Sequence, residues 1–277
     1  MATPGIVNVN IQRTENGKWV DMEDQLAIEE PLEISIAFGQ SQNRQTKRIS
    51  VTMRTPGNDA ELALGFLFTE GIIHSLADVQ SWKHADTLPG IESNRFLVEL
   101  NPELNFELSK LDRNFYTTSS CGVCGKASID AIKTTNAFTK QTSPIKINKD
   151  IFYTLPEKLR LAQQNFESTG GIHASALFTK DGDLIALRED VGRHNALDKL
   201  IGYFLTENKI PLNQHILLLS GRASFELLQK ASMAGIQMVC AIGAPSSLAV
   251  ETAKEFGVTL VGFLKSNKMN VYCGETF

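Results

Sequence analysis

Two cysteines three positions apart, Cys121 and Cys124, are the residues of this 277-residue chain whose type and spacing point most directly to chemistry. A glycine follows each of them, and Lys126 comes directly after the second glycine. The thiolate form of cysteine is the nucleophile, and a nearby cation or free backbone N–H groups favour it over the thiol. Glycine adds no side chain that could cover the sulfur atoms. The segment therefore predicts exposed, reactive thiols.

Three kinds of chemistry use such a pair of cysteines. A structural zinc ion usually takes four protein ligands, but Cys240 and Cys273 stand alone and the five histidines lack the spacing of a second ligand pair. A deaminase-type zinc site needs Pro before the first cysteine, where this chain has Ser120. A thioredoxin-like redox pair would follow the start of a β-α-β unit, and no clear unit precedes this segment. We therefore favour thiolate or persulfide chemistry without a permanently bound metal, with a zinc-held module and a redox pair as alternatives.

The bulk composition limits the class of protein. Hydrophobic residues make up 42% of the chain, which is enough for a packed core. A net charge of −4 and a pI near 5.8 give no general attraction to nucleic acid or to anionic membranes. No apolar run reaches the roughly 18 residues that cross a bilayer, and the N-terminus lacks a signal-peptide pattern. We expect a cytoplasmic protein that binds neither nucleic acid nor membrane.

The first half of the chain has the pattern of a strand-rich domain with one helix. Alternating or strand-like patterns cover residues 6–11, 32–38, 46–54, 94–100 and 104–108. Asn58 and an acid three positions on are typical of a helix start, and Gly71 suits the end of a helix that runs to Thr69. We predict this domain over residues 1–115, followed by the CxxC loop and a connection over 116–150.

The second half has a different rhythm, in which continuous apolar strands alternate with helices. The strands are predicted over 215–220, 238–242 and 258–264, and the helices over 155–166, 224–234 and 246–256. Such a run predicts a parallel sheet covered by helices on both faces, and thus an α/β domain over residues 151–277. Cys240 lies within the second strand and is predicted to be inert core.

Ligands of such sheets bind at the carboxyl ends of the strands. Cationic and polar residues stand at these ends: Ser220, Arg222, and residues 265–268. Arginine and lysine in these places suit phosphate groups, although the standard P-loop and dinucleotide fingerprints are absent. Residues 188–199 add a dense charged cluster, which fits either a polar ligand site that includes His194 or a solvated helix start with a His194–Asp198 pair. His173, after two glycines, is either a structural or a catalytic histidine.

Six stretches of the chain, in order from about residue 30 to the end, together resemble the formate dehydrogenase accessory sulfurtransferase family, FdhD. These stretches are residues 61–73, 121–125, 173–174, 189–199, 220–226 and 260–263. The CxxC pair alone is unspecific, whereas the ordered set is specific.

The resemblance implies a sulfur carrier for formate dehydrogenase. Members of the family take sulfur from a cysteine desulfurase as a persulfide and deliver it to the molybdenum or tungsten bis-pterin guanine dinucleotide cofactor. The sulfurated cofactor then enters the formate dehydrogenase catalytic subunit. The resemblance also implies a homodimer and a C-terminal part similar to cytidine deaminase, with a smaller strand-rich N-terminal part. A non-catalytic zinc module and a cofactor-binding chaperone remain the rival functions.

The resemblance also assigns residues. Cys121 matches the persulfide-bearing cysteine, and Cys124 matches the second cysteine of the motif. The stretch that matches the contacts to the guanine dinucleotide comprises Phe263, Leu264, Lys265, Ser266, Asn267 and Lys268. Three residues selected from the strand-end pattern and the charged cluster, rather than from the resemblance, complete the expected cofactor-binding site: Ser220, Arg222 and His194.

Overall fold

The computed structural model describes residues 5–85, 93–104 and 146–275. Cys121, Cys124 and all but the first residue of the strand predicted over 104–108 lie outside the described residues. The strands are β1 (Ile6–Glu15), β2 (Lys18–Ala27), β3 (Glu30–Phe38), β4 (Gln45–Arg54), β5 (Val79–His84), β6 (Arg95–Leu100), β7 (His173–Phe178), β8 (Leu184–Asp190), β9 (Ile216–Leu219), β10 (Met238–Ala241), β11 (Thr259–Gly262) and β12 (Asn270–Cys273). The helices are α1 (Asp59–Thr69), α2 (Lys149–Ala162), α3 (Gln164–Thr169), α4 (Arg193–Thr206), α5 (Phe225–Met233) and α6 (Ser247–Phe256). Within these ranges, no helix has the length and hydropathy needed to cross a membrane.

The larger sheet has six strands in the order β12-β11-β10-β9-β7-β8. Its strands β9, β10 and β11 are parallel, which confirms the prediction made from the alternating apolar strands and helices. The parallel arrangement does not extend to the edges of the sheet, because β12, β7 and β8 are each antiparallel to the neighbour they join. β8 and β12 follow their neighbours after short turns, and a short turn can connect only antiparallel strands.

Helices cover both faces of the larger sheet, as predicted. Leu217 and Leu219 belong to a core cluster with α4, α5 and α6 on one face. Ile216 and Leu218 belong to a second cluster with α2 on the other face. Successive strand residues point to opposite faces, so the unbroken run of leucines in β9 supplies both cores.

The N-terminal part contains a four-stranded sheet, in the order β4-β3-β6-β5, and a separate β1–β2 hairpin. The predicted strands in the described ranges are confirmed, but β2 and β5 were not predicted. Most side chains of β2 and half of those of β5 are exposed, and neither strand has the apolar alternation that marks a half-buried strand. In β2 the exposed residues include Trp19, at 72% exposure.

Helix α1 follows the predicted boundaries, with one difference at its start. Gly71 adopts a left-handed conformation with φ of 72°, and Ile72 N donates to Leu67 O over 2.8 Å, which confirms the predicted glycine end of the helix. The side chain of Asn58 makes no capping hydrogen bond, because Asn58 itself is left-handed with φ of 59°. The start of the helix is therefore fixed by the backbone rather than by the predicted cap.

The helix predicted over 155–166 is instead two helices, α2 and α3, separated at Gln163. The α2 helix begins earlier than predicted because the side chain of Asn148 accepts a hydrogen bond from Asp150 N over 3.1 Å. Pro156 lies inside α2 and does not mark its start.

Two glycines bring α1 and α4 into backbone contact. A Cβ atom on Gly65 would lie 1.9 Å from Asp198 O, and a Cβ on Gly202 would lie 1.9 Å from Glu61 O. The first core cluster therefore continues from the four-stranded sheet through α1 and α4 to the larger sheet. This contact places the N-terminal part directly on the helix that carries His194.

Candidate functional site

The turns that follow β9, β10 and β11 form one hydrogen-bonded layer at the carboxyl edge of the larger sheet. Gly243 N donates to Gly221 O, and Phe263 N donates to Gly243 O, both over 3.0 Å. Gly243 is required in this layer, since a Cβ atom there would lie 3.0 Å from Gly221 O and 3.1 Å from Arg222 N. The structure thus brings together the turns predicted from separate stretches of sequence to bind a ligand.

Residues from β7 and β8 complete the same edge. His173 is the first residue of β7 and pairs in register with Asp190, the last residue of β8. A Cβ atom on Gly221 would lie 3.3 Å from His173 Nδ1, so His173 abuts the turn after β9. Burial lowers the pKa of His173, and the charges of Arg193 and His194 lower it further. His173 is therefore a neutral imidazole beside the predicted site.

Ser220 and Arg222 differ in their roles at this edge. Ser220 Oγ accepts a hydrogen bond from Ala174 N over 2.8 Å, so it ties β7 to the end of β9. The side chain of Arg222 is exposed. Of the two predicted residues, Arg222 has the freer side chain for an anionic ligand, and Ser220 holds the edge together.

His194 faces an acid that sequence reasoning did not select. His194 Nε2 lies 3.8 Å from Glu226 Oε2, which is an ion-pair distance, and each side chain is about one-fifth exposed. His194 Nε2 and Ser224 Oγ are buried atoms without a hydrogen-bond partner in the described part of the chain. Burial raises the pKa of Glu226, but interactions with His194, its own backbone N–H and Ser224 outweigh that effect and lower the pKa to about 2.

The alternative prediction of a His194–Asp198 pair is wrong. Asp198 is buried and points to α5 and α1, where its Oδ2 lies 2.9 Å from Lys230 Nζ and its Oδ1 accepts from Thr69 Oγ1 over 2.8 Å. His194 is turned toward Glu226 instead. The cluster is therefore not a solvated helix start.

The turn after β11 presents an aromatic ring and two ammonium groups. Phe263 has φ of 50°, a conformation that bulky residues rarely adopt, and its side chain is 42% exposed. Leu264 is fully buried in the second core cluster, and its N–H donates to Ala241 O over 3.1 Å. Lys265 and Lys268 are exposed, as are Ser266 and Asn267 between them. The buried leucine and the backbone bonds hold the strained Phe263 at the surface.

The electrostatic character of this edge suits an anion. Helices α4, α5 and α6 all begin at the edge, because each follows a strand that ends there. Helix N-termini carry partial positive charge and free N–H groups, and Arg222, Lys265 and Lys268 add full charges. Together with the Phe263 ring, these groups fit a ligand that has both a planar ring and phosphate groups.

Neither described thiol is suited to nucleophilic chemistry. Cys240 is fully buried, and burial raises the pKa of its thiol well above the ordinary value, which confirms the prediction of an inert core residue. Burial also raises the pKa of Cys273, whose Sγ donates to Val258 O over 3.2 Å. No group of three potential metal ligands is found among the described residues. The thiols that the sequence predicts to be reactive, Cys121 and Cys124, lie outside the described ranges.

Comparison with known proteins identifies the family. The model of the FdhD/NarQ family matches residues 27–276. The chain belongs to the FdhD/NarQ family. A relative from Streptomyces avermitilis named sulfur carrier protein FdhD is 47% identical over 267 residues, covering 95% of this chain and 92% of the relative. An archaeal relative of the same name, from Saccharolobus solfataricus, is 40% identical and covers 95% and 94% of the two chains.

A solved structure supports the fold of this FdhD/NarQ chain. A crystal structure from Desulfotalea psychrophila, described as that of a formate dehydrogenase accessory protein, matches with a TM-score of 0.71 over 98% of each chain. The sequence identity is 21%, so this likeness concerns the fold.

The site residue that sequence reasoning missed is Glu226. An acid in the first turn of a helix is common because it complements the helix dipole, so its type and position carry no specific signal. Only the packing of α5 beside α4 brings Glu226 to His194. The stretch 220–226, one of the six that resemble the family, contains Glu226 but does not indicate that His194 is its partner.

Proposed function

We propose that this FdhD/NarQ chain is a sulfur carrier that loads a pterin guanine dinucleotide cofactor of molybdenum or tungsten for formate dehydrogenase. The observation that carries the proposal is the layer of strand-end turns. An exposed aromatic ring on a strained backbone, three cationic side chains and three helix N-termini lie together there. The names of the relatives support sulfur transfer. The cofactor is the substrate of the reaction rather than a resident group.

In this proposal the strand edge binds the guanine nucleotide part of the cofactor. The exposed face of the Phe263 ring stacks on the base, as aromatic side chains stack on bases elsewhere. Arg222, Lys265 and Lys268 neutralise the phosphates, with the helix N-termini as further anion-binding groups. His194 and Ser220 supply polar contacts, and Leu264 supports the turn from below.

The sulfur step uses the CxxC pair. The Cys121 thiolate attacks the outer sulfur of a persulfide on a cysteine desulfurase, so a new S–S bond forms on Cys121 and the donor cysteine leaves as a thiolate. Cys124 then acts in one of two ways. As a relay, its thiolate attacks the outer sulfur, so the persulfide moves to Cys124 and Cys121 leaves as a thiolate. As a resolving residue, its thiolate attacks the inner sulfur of Cys121, so a Cys121–Cys124 disulfide forms and the outer sulfur leaves as sulfide for the cofactor, with its two electrons supplied by the two thiols. In this scheme the protein is a cytoplasmic homodimer with a C-terminal part similar to cytidine deaminase, and it meets the desulfurase and the formate dehydrogenase catalytic subunit in turn.

The intact mass of the protein tests the proposal. After incubation with a cysteine desulfurase and cysteine, the wild-type protein should gain one sulfur atom, which a reductant removes. Cys121→Ala should abolish the gain, and Cys273→Ala, which removes a half-buried thiol without a role in transfer, should leave it unchanged.

Two results would contradict the carrier role. Stoichiometric zinc with unfolding on chelation would favour the zinc-held module. Binding of GDP without any gain of sulfur would favour a cofactor-binding chaperone.

A further inference from the structure

The carboxylate of Asp190, at the end of β8, is fully buried, accepts three hydrogen bonds and forms an ion pair with Lys199. Its Oδ1 accepts from Gly192 N over 2.8 Å and from Asn195 Nδ2 over 3.1 Å. Its Oδ2 accepts from Thr55 N over 3.1 Å and lies 2.7 Å from Lys199 Nζ. The two oxygens therefore join two parts of the chain: the start of α4 and the end of β4 in the N-terminal part.

Further hydrogen bonds attach the same turn to the end of β4. Val191 N donates to Thr55 Oγ1 over 3.1 Å, and Lys199 Nζ donates to Thr55 O over 2.8 Å. Asn195 Nδ2 donates to Met53 O over 2.7 Å, while Thr52 Oγ1 donates to Asn195 Oδ1 over 3.1 Å. The turn over residues 190–195 is thus held by a strand of the smaller sheet as well as by its own sheet.

The geometry leaves little freedom at this turn. A Cβ atom on Gly192 would lie 3.0 Å from Asn195 Nδ2 and 3.3 Å from Asp190 Oδ1, so a larger residue would crowd both groups. Arg193 and His194 lie between the held residues 192 and 195. Their backbone positions are therefore set by contacts with β4.

We propose that Asp190 and Thr55 are positioning residues, through which the N-terminal part sets the geometry of the ligand-binding edge of the larger sheet. The inference rests on the proposed function, since it gives the N-terminal part a role in the same site. A buried ion pair is weak evidence for stability, because desolvation offsets the attraction. A polar network with every member satisfied instead specifies one arrangement, here that of the turn bearing Arg193 and His194.

Two matched threonine variants test the proposal. Thr55→Val removes the acceptor of Val191 N and keeps the backbone bonds of Thr55. Thr69→Val removes an equally buried hydroxyl, which bonds to Asp198 and Lys230 away from the turn. Three quantities are measured in the full-length protein: amide hydrogen exchange over residues 190–196, the Kd for GDP by calorimetry, and the melting temperature.

We expect Thr55→Val to speed exchange at the Val191 amide and to raise the Kd for GDP about tenfold. Thr69→Val should lower the melting temperature by a similar amount and leave both the exchange at 190–196 and the Kd unchanged. Two results would overturn the inference. In one, both variants change the amide exchange and the Kd by equal amounts; in the other, Thr55→Val leaves both the exchange and the Kd at their wild-type values.

Failure of the proposed function is distinguishable from failure of this inference. If the wild-type protein does not bind GDP, the proposed ligand is wrong, and the exchange comparison still decides whether Thr55 holds the turn. If Thr55→Val does not fold, Asp190→Asn combined with Lys199→Met removes both charges of the pair at once, which buried pairs often tolerate. That double variant should fold and show the same faster exchange and weaker GDP binding, and wild-type values in both would contradict the inference.

Discussion

At the scale of single residues, the charge of Glu226 is the feature of the site that pH can test. A carboxylate with a lowered pKa contributes stability that is present above its ordinary pKa of 4.5 and is lost as the pH falls toward about 2. The contribution is on the order of 3 kcal/mol at neutral pH. Its largest source is the interaction with His194 at the start of α4, to which the backbone N–H of Glu226 and the side chain of Ser224 add.

We expect Glu226→Gln to lower the free energy of unfolding at pH 7, and the difference from wild type to shrink between pH 4.5 and pH 2. Urea unfolding at a series of pH values measures this difference. Glu251→Gln, which removes an exposed carboxylate on α6, should match wild type throughout. A deficit of Glu226→Gln that persists unchanged in acid would show that the pairing charge is not the cause.

At the scale of secondary-structure elements, α1 of the N-terminal part and α4 pack with their backbones in contact at Gly65 and Gly202. Glycine inside a helix ordinarily costs about 0.5–1 kcal/mol relative to alanine. Here the two glycines allow the backbones to touch. A partly buried ion pair beside them, with Arg188 Nη2 and Glu61 Oε1 2.8 Å apart, joins β8 to α1. The close approach also lets Asp198 reach Thr69.

Gly65→Ala and Gly202→Ala should each destabilise the protein, by 1–3 kcal/mol or more, where an ordinary helix would be stabilised by alanine. The reason is that the new methyl group would lie 1.9 Å from a carbonyl oxygen of the other helix. Chemical denaturation measures the effect. The control is Gly171→Ala, whose methyl group would meet nothing closer than 3.8 Å; a gain in stability for the helix variants would refute the contact.

At the scale of the whole molecule, the two sheets share one core, and two partly buried ion pairs, Arg188 with Glu61 and Lys230 with Glu70, link the two parts. The first core cluster includes Ile34 and Phe96 of the smaller sheet together with Leu217 and Leu260 of the larger sheet. The N-terminal part also supplies Thr55 to the Asp190 network. The larger sheet therefore depends on the smaller sheet for its packing and for the position of the turn at residues 190–195, which lies at the edge with the candidate site.

A fragment of residues 146–277 should consequently fail to form the native fold. Without α1 it would expose the apolar surface of α4 and leave Lys230 without Thr69 and Glu70. Near-ultraviolet circular dichroism and amide proton spectra of the fragment check this expectation, with the full-length chain as control. A fragment with native-like spectra that unfolds cooperatively would show that the predicted domain over 151–277 folds independently.

The sequence by itself determined most of the strands and helices and the family to which the chain belongs. Local periodicity predicted the parallel strands β9 to β11 and the burial of Cys240. Residues typical of helix starts and ends predicted the limits of α1 and α6. Ser246 is an example, because its side chain accepts from Ala249 N over 3.2 Å at the predicted helix start. These features depend on residues within a few positions of one another, which a sequence displays directly.

The tertiary structure alone decided which side chains meet. Three features depend on how distant elements pack. They are the antiparallel strands toward the edges of the larger sheet, the pairing of His194 with Glu226, and the burial of Asp198 against Lys230 and Thr69. Asp190 and Thr55 are 135 positions apart in the chain, and no local pattern relates them. Long-range contacts of this kind arise when the faces of helices and sheets pack against one another. The residues that hold the candidate site could therefore be recognised only in the folded molecule.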